Sequence, residues 1–200
     1  MKEKNIVIRI ATIKDAPSLL NIYAHYVKNT AVTFEYEVPS LEEFSKRIEC
    51  ILLKYPYIVA EKDGDILGYA YASPFNIRPA YDWTVETSIY VDKSKLAIGI
   101  GKKLYEALEN ILREQNIINL VACIAYPLTP NEFLTKNSAE FHEHLGYEAV
   151  GNFFKCGYKF NLWHNVLYME KHIGRHDVKP LPVKRFDEVR QVIREKYSIL

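Results

Sequence analysis

In the stretch TVETSIYV, residues 84–91, a period of two puts Glu86, Ser88 and Tyr90 on one face of a predicted strand, opposite Val85, Thr87, Ile89 and Val91. The second set reads as core. The first sets a carboxylate in the middle of an apolar sheet, where it needs either a partner or a task. A cation such as Arg78 or Lys159 would be the partner. The task would be general-base catalysis, in which a carboxylate relieves a protonated nucleophile of its proton. Just downstream, Gly99 and Gly101 fall where a strand pattern gives way to a helical one. Glycine permits positive φ and close approach, and the first turn of a helix offers unpaired N–H groups at its positive end. Such a junction suits a phosphate or pyrophosphate, with Lys93, Lys95, Lys102 and Lys103 adding charge around it. A tight turn is the plain alternative. The third glycine of a dinucleotide-binding fingerprint is missing, and this strand does not open a βαβ unit.

Alternating strand and helix periods surround these residues. IVIRIAT reads as a strand and KDAPSLLNIYAHYV as a helix with Leu19, Tyr23, Tyr26 and Val27 on one face. SLEEFSKRIECILLKY is a second helix, opened by a capping box of Ser40 and Glu43. YIVAEK and ILGYAYAS are strands joined through Asp63-Gly64, a hairpin signal. The helix after the glycines carries Leu104, Leu108, Ile111 and Leu112. A strand INLVACIAY, a helix ending at FHEHLGY and strands AVGNFFKCGYKF and NVLYMEK complete the order β-α-α-β-β-β-α-β-α-β-β. That order predicts one α/β layer domain over residues 1–172. Residues 173–200 form a proline-containing linker and an amphipathic helix, whose stripe of Phe186, Val189, Ile193 and Tyr197 would dock on the domain or on a second subunit.

Composition narrows the function classes. Two hundred residues, 48% of them apolar, suffice for one sizeable core. A net charge of +1 lends no support to nucleic-acid binding. No apolar run approaches the roughly 20 residues that span a bilayer, so no membrane association is expected. The first residues lack a secretory signal, which predicts a cytoplasmic protein. Cys50, Cys123 and Cys156 are odd in number and scattered, and each reads as a small buried hydrophobe. No cluster has metal-ligand spacing, so no metal is expected.

YVDKSKLAIGIGKKLYEAL, followed by a strand and NSAEFHEHLGY, resembles the acetyl-CoA-binding core of the GNAT N-acetyltransferases, over about residues 6–172. TFEYE, YDWTVETSIYV and GYKFNLWHNV narrow the resemblance to the phosphinothricin acetyltransferase branch, whose members acetylate the free amine of small amino acids. The resemblance implies the GNAT fold, a central, mixed, mostly antiparallel sheet flanked by helices, with acetyl-CoA as co-substrate. It implies cofactor contacts from Ile89, Tyr90, Val91, Ala97, Ile98, Gly99, Ile100, Gly101, Lys102 and Asn137, the last also a candidate N-cap. Glu86 matches the family's glutamate and becomes the candidate base. Backbone N–H groups around Tyr90 and Val91 would stabilise charge on the thioester oxygen. His142 stands four residues before Gly146, where many members carry a tyrosine that protonates the leaving thiolate. It would be a proton donor, a substrate ligand, a neighbour of Glu86 or a plain helix-surface residue. His144 would be solvated, and His164 would fix local structure beside Trp163. Arg78 matches the branch's arginine and could grip an acceptor carboxylate through two hydrogen bonds, with Phe34, Tyr81 and Ser88 lining the pocket. Leu96 departs from the family's phosphate loop, which begins with Gln or Arg. Backbone donors do not depend on that side chain, but weaker cofactor binding is one consequence to test. The 126–136 loop is longer than in most relatives and reads as a lid or specificity loop. The expected partners are a small-molecule amine and a second copy in a homodimer. The alternatives are acetylation of a protein N-terminus or lysine, and a non-catalytic acetyl-CoA sensor.

Overall fold

The structure, a computed structural model, describes residues 6–95 and 99–200. Its elements follow the predicted order: β1 (Val7–Ile10), α1 (Ala16–Asn29), α2 (Leu41–Leu52), β2 (Tyr57–Lys62), β3 (Asp65–Pro74), β4 (Thr84–Val91), α3 (Ile100–Glu114), β5 (Asn119–Tyr126), α4 (Asn137–His144), β6 (Glu148–Lys159), β7 (Leu162–His172) and α5 (Phe186–Tyr197). The strands form one sheet in the order β1-β2-β3-β4-β5-β7-β6. Neighbours are antiparallel except β4 and β5, whose parallel pairing needs a crossover, and α3 provides it. The architecture is the one expected, a mixed and mostly antiparallel sheet between helical layers.

Strand alternation divides the core in two. Ile58, Ala70, Val85 and Leu120 face α3 and α5, packing with Leu104, Leu108, Ile111 and Phe186. Tyr57, Val59 and Tyr69 face the other way, onto Leu19, Ile22, Phe44 and Ile48 of α1 and α2. The stripe of α5 docks on the domain. Phe186, Val189 and Ile193 are buried with α3, and the Tyr197 hydroxyl donates to Glu114 at 2.8 Å.

Three local expectations are corrected. Ser40 Oγ accepts the Glu43 N–H at 3.1 Å, but the Glu43 carboxylate turns to Arg47 at 2.5 Å, leaving half a capping box. Asn137 is the first residue of α4 and Lys136 is its N-cap. All three cysteines are exposed. α1 and α2 cover β2 and β3, leaving open the same face of β5, where Cys123 lies. Cys156 sits in the bulge of β6, and Cys50 on the outer side of α2.

Candidate active site

β4 and β5 pair only from Thr84 to Glu86 against Asn119 to Val121. Beyond that the strands part, although β4 continues to Val91 and β5 to Tyr126. The gap holds a cavity of about 60 Å³, passing through the sheet. On the α1 side it is lined by Val32, Ser88, Tyr90 and Cys123, and on the α3 side by Thr87, Tyr105, Ser138 and His142.

The strand register decides which backbone groups enter this gap. Asp92 N–H donates to Leu67 O at 2.8 Å, and Phe75 N–H to Thr84 O at 3.5 Å. Antiparallel bonding alternates, so the amides of Glu86, Ser88 and Tyr90 belong to the ladder with β3. Thr87 still pairs with β5 at the last bridge. Ile89 and Val91 therefore turn their N–H groups away from β3, into the splay. The Val91 carbonyl is already taken, accepting the Tyr26 hydroxyl at 2.6 Å.

Glu86 lies where the strands separate, half-buried on the α1 side. Burial raises its carboxyl, and no ion pair or hydrogen bond offsets that among the described residues. Neither suggested structural partner reaches it. Lys159 is buried and donates to Thr33 O at 2.7 Å, and Arg78 is exposed with no ion pair among the described residues. Tyr71, on the same face, lies against the Ser88 hydroxyl.

His142 is neither on the surface nor beside Glu86. It is 3% exposed, on the opposite face of the sheet. Its Nδ1–H donates to the Ser138 carbonyl at 2.7 Å, which fixes the tautomer. Nε2 then accepts the Tyr105 hydroxyl at 2.7 Å. Tyr105 is fully buried and 3.3 Å from Thr87 Oγ1, which donates to Val121 O at 3.2 Å. Burial lowers the His142 imidazole and raises the Tyr105 phenol, so both stay neutral. His144 is exposed, and His164 donates to Lys159 O at 3.0 Å from a buried position.

The two glycines have different causes. Gly99 caps α3 with φ +81°, a left-handed conformation that an L side chain strains to adopt. Gly101 is needed for packing, because a Cβ there would lie 2.9 Å from Cζ of Phe141. Lys102 is exposed and 3.8 Å from Glu106. Ala97 and Ile98, two of the expected cofactor contacts, and Leu96 lie outside the described residues. Asn137 is exposed at the start of α4. Tyr81 meets Phe75 edge-on at 5.8 Å in the loop that carries Arg78. Phe34 packs onto Gly157 and lies 6.0 Å from the His164 ring. The cleft thus brings together Ser88, Ile89, Tyr90 and His142; Glu86 stands just before it on β4, at the last bridge to β5 and outside the cavity lining, and Arg78 and Tyr81 stand apart on the β3–β4 loop.

Sequence reasoning missed Val32, Thr87, Tyr105 and Cys123 as cleft residues. The only signal was a tyrosine beside the apolar stripe of α3, whose hydroxyl needs a partner once buried. Among the described residues, no three His, Cys, Asp or Glu side chains converge as a metal site, and no helix is long and apolar enough to cross a membrane.

A sheet splayed between two parallel strands, with a glycine-opened helix crossing behind the gap, defines an acyl-transferring enzyme of the GNAT class. The family model described as acetyltransferase (GNAT) domain matches residues 8–167, and the chain belongs to that family. It is an N-acetyltransferase. It is 33% identical to the phosphinothricin N-acetyltransferase of Streptomyces viridochromogenes, over 94% of this chain and 98% of that one. The L-methionine sulfoximine/L-methionine sulfone acetyltransferase of Salmonella typhimurium is 27% identical, covering 86% and 96%. Among solved structures, the phosphinothricin acetyltransferase of Sinorhizobium meliloti in complex with AcCoA superposes with a TM-score of 0.79 at 31% identity, covering 88% of this chain and 93% of that one.

Proposed function

We propose that the protein transfers the acetyl group of acetyl-CoA to the primary amine of a small amino acid or analogue of the phosphinothricin or methionine sulfoximine kind, with Glu86 as general base. The observation that carries this reading is a half-buried carboxylate with no cation beside it among the described residues, standing where β4 and β5 separate. The names of the relatives support the choice of acceptor.

The residues fit the co-substrate. The N–H groups of Ile100, Gly101 and Lys102 are first-turn donors of α3, available to a diphosphate, and Asn137 opens the neighbouring helix. Acetyl-CoA, when bound, supplies an activated thioester. Glu86 takes a proton from the acceptor ammonium, directly or through one water. Ile89 and Val91 offer N–H groups for a carbonyl oxygen, and Tyr90, whose own amide is committed to β3, packs behind them. His142, neutral and engaged at both nitrogens, acts through Tyr105: it holds the phenol whose hydroxyl can turn to a departing thiolate. Arg78 receives the acceptor's carboxylate, with Phe34, Tyr81 and Ser88 as pocket walls. A second copy completes a homodimer.

A screen of free amino acids and glutamine analogues with acetyl-CoA, following thiol release, tests this. Turnover is expected with phosphinothricin or methionine sulfoximine. Thiol release only with peptides bearing a free N-terminus would transfer the assignment to protein acetylation.

A further inference from the structure

We propose that residues 131–134 brace the loop between α1 and α2 against the acceptor side of the cleft, making Phe133 and Asn131 positioning residues for acceptor choice. The acceptor part rests on the reading above. The brace itself does not.

The loop between α1 and α2, residues 30–40, brings Val32 to the cleft opposite Cys123. Its neighbour Ala31 is fully buried and packs with Ala125 and Leu134, and its N–H donates to the Phe133 carbonyl at 2.9 Å. Phe133 is held in turn, stacked on Phe160 at 4.3 Å and 12°. Asn131 shapes this turn, with Oδ1 accepting the N–H groups of Phe133 at 2.9 Å and Leu134 at 3.0 Å. From the other side, Lys159 holds Thr33 O, and Tyr36 donates to Tyr158 O at 2.5 Å. A lid that opens during turnover would carry few buried contacts and many exposed backbone bonds. This segment has the opposite character, since Leu134 is 3% exposed and its backbone and that of Asn131 bond each other. It is a fixed strut. Its influence on the cleft passes through one peptide, from Ala31 to Val32, and acceptor choice follows because Val32 is a cleft wall on the Glu86 side of the sheet.

Phe133→Ala and Asn131→Ala are compared with wild type by amide hydrogen exchange and by steady-state kinetics. Exchange at residues 31–34 should quicken in both variants. The KM for the acceptor should rise about tenfold, with preference shifting toward bulkier amines and the KM for acetyl-CoA unchanged. Phe133→Leu, which keeps an apolar prop, should restore most of the difference. Unchanged exchange at residues 31–34 in a folded variant overturns the brace. Quickened exchange with an unchanged acceptor spectrum overturns its role in specificity. If wild type acetylates no free amine, the acceptor reading fails, while exchange still decides the brace. Should Phe133→Ala not fold, Asn131→Ala, which removes only two turn hydrogen bonds, carries the same readouts.

Discussion

Burial holds the Glu86 carboxyl protonated to higher pH than a solvated glutamic acid, because water is displaced and no cation replaces it among the described residues. A base must be ionised before it can accept a proton, so kcat/KM should climb with pH through a limb lying above the ordinary glutamate range. Glu86→Gln should remove that limb and lower the rate by about 10²- to 10⁴-fold at neutral pH. The same shift has a stability consequence of fixed sign. The folded state holds this proton more tightly than the unfolded chain, so stability falls as pH rises from the ordinary value through the raised one. Glu86→Gln should therefore raise Tm at pH 7 relative to wild type and leave it nearly unchanged at pH 4. A thermal scan at the two pH values reads this, and equal shifts at both would refute the linkage. The carboxylate is a cost to the fold, and the proposed role as general base accounts for it.

At the start of α3, two glycines one residue apart answer to different forces, and substitution can separate them. Gly99→Ala should cost about 1–2 kcal/mol, since an L residue at φ +81° is strained. Gly101→Ala drives a methyl into the Phe141 ring, so its cost should shrink in the Gly101→Ala/Phe141→Leu double variant, whereas that of Gly99→Ala should not respond to Phe141. Denaturant titration of Gly99→Ala, Gly101→Ala and Phe141→Leu, and of each glycine variant combined with Phe141→Leu, measures the coupling. These elements also show what local pattern can carry. The alternation in residues 84–91 correctly separated Glu86, Ser88 and Tyr90 from Val85 and Thr87, because a strand has only two faces. The helical stripe of α3 was equally legible. Where β5 leaves β4 was not, since nothing in either strand's own pattern says that pairing stops at Glu86 and Val121. Nor did helix spacing reveal that His142 would be buried on Tyr105, which depends on how α4 sits against α3. The cysteines misled for a related reason. An apolar strand normally implies cover, but over Cys123 no helix among the described residues supplies it.

The whole sheet has two edges, and the chain treats them differently. At β1 the last residue folds back, with Ile10 N–H donating to Leu200 O at 2.6 Å and Leu200 N–H to Ile8 O at 3.4 Å. At β6 no described segment pairs with the outer edge. There Phe153 is 58% exposed, Phe154 70% and, across the hairpin, Trp163 58%. Natural proteins blunt such edges with charges, prolines or a covering segment, since a long apolar strand with free N–H and C=O groups invites another chain. Lys155, in the bulge of β6, is the one charged residue between Val150 and Tyr158. A second copy of this chain, seated on β6 and the open half of the sheet, would cover that surface. It would also cover Cys123, on the same sheet face as Glu86, and so confine the acceptor end of the cleft. Replacing both Phe153 and Phe154 by Asp puts charges into that contact without touching the buried core. Sedimentation velocity at micromolar concentration should then show a dimer for wild type and a monomer for the variant, with circular dichroism unchanged. Modification of Cys123 by a bulky thiol reagent should be faster in the variant. A wild-type monomer, or a variant that sediments as wild type does, would mean that this edge stays open in solution and that the pocket is complete in one chain.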